Sequence, residues 1–165
     1  MEQKYLEDKM HELEKIINYR FNDINLLCEA MNATKIKYEN AGKNNETYVN
    51  EGLALVGDTI LKFVLTDKIF TEETKIKGEI TKSKEQLENN KVLYKIFVEE
   101  NWRRFAYNDD NFYDESPKDN KVSCKQHNQY IEAIIAAIYY DSSFDNAKHW
   151  ILYFLYPLLK KYSTI

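Results

Sequence analysis

A chain of 165 residues with 44% hydrophobic and 30% charged side chains has the balance of one soluble globular domain and is too short for two full ones. Four Gly and two Pro are too few turn residues for a many-stranded β protein. No apolar run reaches the length of a membrane span, and residues Met1 to Lys15 are too charged for a signal peptide. The net charge of −4 supplies no global positive field, so a nucleic acid would have to be met through local basic patches or through metal ions that screen its phosphates.

In chain order, Leu6, Met10, Leu13, Ile16 and Ile17 recur at helical spacing, and Asn18-Tyr19-Arg20 ends that pattern. Asn22 or Asp23 caps a second helix carrying Ile24, Leu26, Leu27, Ala30 and Met31. Lys35 to Thr47 is polar, with Asn40, Gly42, Asn44 and Asn45, and is predicted to be an exposed loop. Tyr48 to Phe70 is predicted to be the longest, central helix, buried along Leu53, Val56, Ile60, Phe63, Val64 and Ile69. Gly52 and Gly57 each cost such a helix about 1 kcal/mol against Ala, which implies a close approach by another helix or a ligand. Ile76 to Glu100 divides into two helices at Glu88-Asn89-Asn90, the second burying Val92, Leu93, Ile96 and Phe97. Asn108 to Asn120, with Pro117, is the most loop-like stretch. Helix resumes from about Ser123 through Tyr130 to Ile138, and a last one runs from Phe144 to Tyr162, kinked or reset near Pro157.

Two of these helices carry acids that need explaining. Glu51 and Asp58 stand seven residues apart, on one helix face, in Asn50-Glu51-Gly52-Leu53-Ala54-Leu55-Val56-Gly57-Asp58. Glu132 opens an apolar stretch in which Ala133, Ala136 and Ala137 let a second helix pack closely. An acid at the edge of such a stretch is costly to bury unless paired or metal-bound, and Asp58 with Glu132 would offer hard oxygen ligands suited to Mg²⁺. From spacing alone the simpler account is an Asp58 held by a lysine or a backbone group and a solvated Glu132. Cys28 and Cys124 match no metal-ligand spacing and are expected to be small buried hydrophobes of a reduced, intracellular protein. His127 and His149 stand alone. Trp102-Arg103-Arg104 is read as a turn with a packed Trp, and Lys77, Lys82 and Lys84 as candidate phosphate contacts.

The segment from Asn50 to Leu61 resembles the ribonuclease III signature, Asn-Glu-Arg-Leu-Glu-Phe-Leu-Gly-Asp. Gln129 to Asp141 resembles that family's Asp-x-x-Glu-Ala-Leu-Ile-Gly-Ala-Ile-Tyr-x-Asp. Leu13 to Phe21, Leu26 to Met31, Gly78 to Thr81 and Leu87 to Leu93 are similar to further family segments in the right order, so the resemblance covers Leu13 to Phe154. It implies an all-α ribonuclease III endonuclease fold with a domain at 13–156, a flanking helix at 1–12 and a helix end at 157–165. It also implies a Mg²⁺-dependent endoribonuclease that cuts double-stranded RNA as a homodimer, with Gly52 and Leu55 at the two-fold interface. In the family, two carboxylates on each signature helix gather Mg²⁺. Carried over, Asp58 and Glu132 match two of the four, and Glu51 matches the additional acid. Ala54 and Gln129 replace the others.

A unit-charge pair about 4 Å apart at an effective dielectric near 20 is worth roughly 4 kcal/mol, more for a divalent ion, so these losses matter. Gln129 offers a carbonyl oxygen without charge, leaving Asp58, Glu132 and Gln129 as the expected metal ligands, with Mn²⁺ as a substitute. These residues are expected to act without a double-stranded-RNA-binding domain of their own, so RNA affinity is expected to be modest and salt-sensitive, and a protein partner could supply such a domain. The alternative is a degenerate relative retained for RNA binding or for pairing with another subunit.

Overall fold

The computed structural model of the chain describes residues 1–109, 111–116, 122 and 127–163, and for residues 127 and 128 the backbone alone. Helices α1 (Gln3–Ile17) and α2 (Ile24–Met31) lead into a hairpin of β1 (Lys35–Asn40) and β2 (Lys43–Tyr48). Then follow α3 (Glu51–Glu72), α4 (Lys77–Leu87), α5 (Asn90–Glu99), α6 (His127–Asp141), α7 (Phe144–Trp150) and α8 (Tyr156–Ser163). No described helix is long and apolar enough to cross a membrane. The expected loop through Pro117, the helix start at Ser123 and Cys124 lie outside the described residues, as does the side chain of His127.

The core forms around α6. Ile131, Ala133, Ile134, Ile135, Ala136, Ala137 and Ile138 are fully buried, because α2, α3, α5 and α7 enclose this helix on all sides. The α5 side is fastened by a parallel stack of Phe97 on Tyr130 with ring centroids 4.6 Å apart. The predicted joint between α4 and α5 is present, and its Asn89 side chain accepts the Val92 N–H at 3.0 Å. Asp23 rather than Asn22 caps α2, accepting the Asn25 N–H at 3.0 Å. Helix α1 ends where the sequence indicates, with Asn18 in the left-handed region at φ 56°. The buried Glu14 is explained structurally, since it accepts the Phe21 N–H at 2.6 Å and so ties down the chain leaving α1.

Three expectations are corrected. The polar stretch from Lys35 is no loop: Lys35 to Tyr48 pairs in antiparallel register from Lys35↔Tyr48 to Asn40↔Lys43. Ala41 and Gly42, both at positive φ, close the two-residue turn, the conformation whose twist suits a hairpin. Phe63 does not belong to the buried stripe of α3 but is 57% exposed, and Val56 is only partly buried. The buried face instead comprises Leu53, Ala54, Gly57, Ile60, Leu61, Val64, Leu65 and Ile69. Centrality passes from α3 to α6, for α3 leaves Gly52, Leu55, Thr59, Phe63 and Phe70 exposed along one side. In the last segment a π-helical turn at Ile151–Leu155 joins α7 to α8, with the Tyr156 N–H bonded to the Ile151 carbonyl just ahead of Pro157. The wide turn resets the backbone where proline cannot donate.

Candidate functional site

Helices α3 and α6 meet backbone to backbone at Gly57. A Cβ on Gly57 would lie 1.6 Å from the carbonyl oxygen of Glu132 and 2.5 Å from its carbonyl carbon, so only glycine permits this approach. Asp58 and Glu132 therefore flank one crossing. Glu132 and Gln129 are buried, while the Asp58 side chain keeps about a quarter of its exposure.

The neighbours of these groups decide what they can do. Asp58 Oδ2 accepts from Lys62 Nζ at 2.8 Å, one turn along α3, which is the lysine pairing that spacing alone allowed. The Lys62 ammonium also lies in the fields of Glu88 and Glu132, and its pKa is raised, first by the hydrogen bond to Asp58 and then by these charges. Glu88 is the C-terminal cap of α4, and its carboxyl is pushed up to about 7, chiefly by burial and secondarily by the charge of Asp58. Of the three acids, Asp58 alone lies within ion-pair distance of the half-exposed Lys62. Sequence reasoning missed both Lys62 and Glu88. Only the i, i+4 spacing of Asp58 and Lys62 signalled the former, and nothing local marked the latter.

Gln129 faces elsewhere. Its Nε2 donates to Asn50 Oδ1 at 2.6 Å, and the fully buried Asn50 donates in turn to the Ala30 carbonyl at 2.9 Å. This chain of amides fastens α2, the start of α3 and the start of α6 together. Ala54 is buried in the core. Glu51, at the first turn of α3, accepts from the Thr47 hydroxyl at the end of the hairpin. Asp141, at the end of α6, accepts from the backbone N–H groups of Asn22 and Asp23 at 2.9 and 2.8 Å and from the Tyr19 hydroxyl, so its role is to anchor the α1–α2 corner.

The ribonuclease III domain family matches residues 51–143, more than half of the chain and the span from α3 past the end of α6. The chain belongs to the ribonuclease III family. Among relatives of that family, Ribonuclease 3 of Clostridium acetobutylicum is 33% identical over 144 residues, covering 87% of this chain and 60% of that protein. Ribonuclease 3 of Desulfotalea psychrophila is 30% identical over 159 residues, covering 93% and 61%. The chain thus spans about three-fifths of the length of these relatives. The solved nuclease domain of Campylobacter jejuni ribonuclease III superposes with a TM-score of 0.68 at 28% identity over 93% of this chain and 97% of that domain, and that structure displays flexibility in the region involved in its dimer formation. The fold is that of ribonuclease III nuclease domains, and the family is one of endoribonucleases.

Ions of the magnesium kind are held by several oxygen ligands, largely anionic, at about 2.0–2.1 Å. At this crossing Asp58 is paired with Lys62, Ala54 brings no oxygen, and Gln129, whose Nε2 donates to Asn50, has only a neutral carbonyl oxygen to offer. Among the described residues no three His, Cys, Asp or Glu side chains converge as a metal-binding group. The residues present do not fit a two-ion centre.

Proposed function

We propose that this chain binds double-stranded RNA as a homodimeric ribonuclease III domain and no longer hydrolyses it, serving RNA processing as a catalytically degenerate member of its family. The observation that carries this reading is the fate of the two departed positions. Ala54 is packed in the core one turn before Asp58 and brings no oxygen, and Gln129, held through its Nε2 by the buried Asn50, offers at most a neutral carbonyl oxygen. Neither position supplies the negative charge that a two-ion centre needs. Phosphates would be met by lysines away from the acidic crossing: Lys82, Lys91 and Lys95 line one open groove between α4, α5 and the end of α8. With a net charge of −4, such binding depends on local charge and weakens steeply with salt.

A second reading is favoured by one observation, the placing of Asp58 and Glu132 at a common crossing. It is the endoribonuclease, cutting duplex RNA with a weakly held Mg²⁺ or Mn²⁺ on Asp58, Glu132 and Gln129, assisted by Glu51. The two readings separate on long duplex RNA incubated with either metal. The first expects a retarded complex whose affinity falls on Lys91→Glu and no cleavage. Cleavage by the unmodified protein that Asp58→Ala abolishes would establish the second, and failure to bind duplex RNA at low salt would remove the first.

A further inference from the structure

The hairpin of β1 and β2 lies outside the span 51–143 that carries the family match, and every residue of β1 is exposed. An isolated pair of strands is marginally stable in water, so a ribbon held in register along its whole length calls for something that covers it. Its base is fastened to the domain. The Val49 N–H donates to the Thr34 carbonyl at 3.0 Å, and the Thr47 hydroxyl donates to Glu51 at the start of α3. Beyond that base the strands form an arm about 20 Å long.

Strand alternation sorts the side chains of the arm into two unlike faces, since residues directly opposite in the register share a side. One face carries Lys35, Lys37, Glu39 and Glu46, and its charges answer one another, Lys35 Nζ lying 4.0 Å from Glu46. Both acids of the hairpin are on that face. The other face carries Ile36, Tyr38, Asn40, Lys43, Asn45 and Thr47, with no acid and one ammonium beside the turn. Tyr38 is 47% exposed, and among the described residues nothing bonds its hydroxyl, the Asn40 amide or the Lys43 ammonium. In a chain of net charge −4, an acid-free face of phenol, amide and ammonium is complementary to an anionic surface rich in hydroxyls. It suits another protein poorly, because the cores of protein interfaces are apolar and depleted of lysine.

We infer that this face of the hairpin docks in the minor groove of duplex RNA, with Tyr38 and Asn40 meeting ribose 2′-hydroxyls and Lys43 a phosphate. The inference rests on the RNA-binding reading and deepens it, since it names the arm that tells RNA from DNA. The minor groove of an A-form duplex is wide and shallow and displays the 2′-hydroxyls, which both donate and accept. Its major groove is too deep and narrow for side chains to read.

The test uses the whole chain in EDTA, with one duplex prepared as RNA and as DNA of the same sequence, and fluorescence anisotropy at low salt. The wild type should prefer the RNA. Tyr38→Phe, which keeps the ring and the strand, should cost about threefold in RNA affinity and leave DNA affinity unchanged. Tyr38→Ala combined with Asn40→Ala should cost about tenfold and erase the preference. Lys43→Ala should reduce the slope of log affinity against log salt by about one. Lys37→Ala, on the opposite face, should alter neither the affinity nor the slope. RNA binding that the Tyr38, Asn40 and Lys43 substitutions leave intact, or that Lys37→Ala weakens as much, would overturn the inference and spare the RNA-binding reading. A wild type that binds neither duplex removes both. Substitutions that change sedimentation in place of RNA affinity would assign this face to a second copy and overturn the inference as well.

Discussion

Glu88 sits where α4 ends, and burial together with the Asp58 carboxylate pushes its pKa up to about 7 against an ordinary 4.5, while Lys62 and Lys84 pull it part of the way back. The sign of the consequence follows from proton linkage. Between those two values the folded chain binds a proton that the unfolded chain has released, so stability falls as pH rises through the interval and levels off above it. Glu88→Gln, which stays neutral throughout, should therefore match the wild type near pH 4.5 and become progressively more stable than it up to about pH 8. Urea unfolding of both proteins at several pH values checks this, and a difference that does not vary with pH would show that Glu88 ionises as it would in water. The same site shows how unevenly residues announce themselves. Asp58 and Glu132 stand out within matched segments, whereas Glu88 is an unremarkable acid in a polar joint until the fold buries it beside Asp58.

At the scale of elements, the crossing of α3 and α6 is set by one missing methyl group. Gly57→Ala would drive a Cβ into the Glu132 carbonyl, and since both partners are backbone, the helices must part. A loss upwards of about 3 kcal/mol is expected by chemical denaturation. Gly52→Ala meets nothing within 4 Å inside the chain, so in dilute protein it should be neutral or gain up to about 1 kcal/mol from helix propensity. Equal losses at both glycines would contradict the close crossing. The helical elements were legible from apolar periodicity, down to the joint at Asn89 and the reset near Pro157. The hairpin was not, because both its faces are exposed: without a buried side, the alternation in Lys35-Ile36-Lys37-Tyr38 carries no hydrophobic signature, and the polar composition reads as loop.

Across the whole molecule, the exposed apolar side of α3, where Phe63 meets Phe144 and Phe70 meets Lys75 but Leu55 lies open, is the feature a monomer leaves unexplained. Leu55 is 70% exposed, and Phe63 and Phe70 follow it along the same helix, an apolar stripe of the kind that a second copy covers. If the proposed homodimer forms through this stripe, Leu55→Asp should convert it to monomer in sedimentation experiments while leaving the helical circular dichroism intact. Phe63→Asp should do likewise if the contact runs the length of α3. A wild type that stays monomeric at high micromolar concentration would remove the dimer, and a dimer indifferent to both substitutions would place the interface elsewhere.

The sequence by itself determined the class of fold, the order of the helices and the family, because these rest on periodicity and on short segments whose residues are neighbours along the chain. It also exposed the two departures, Ala54 and Gln129, by position alone. What those departures leave behind was decided by tertiary structure. Gln129 is bonded to an asparagine 79 residues away, Glu88 at the end of another helix is half-buried in the field of Asp58, and Glu132 approaches because Gly57 lacks a side chain. Lys62, which no sequence reading named, pairs with Asp58 one helical turn away. Charge compensation depends on distance through space, and sequence spacing reports that distance only within a helical turn or two.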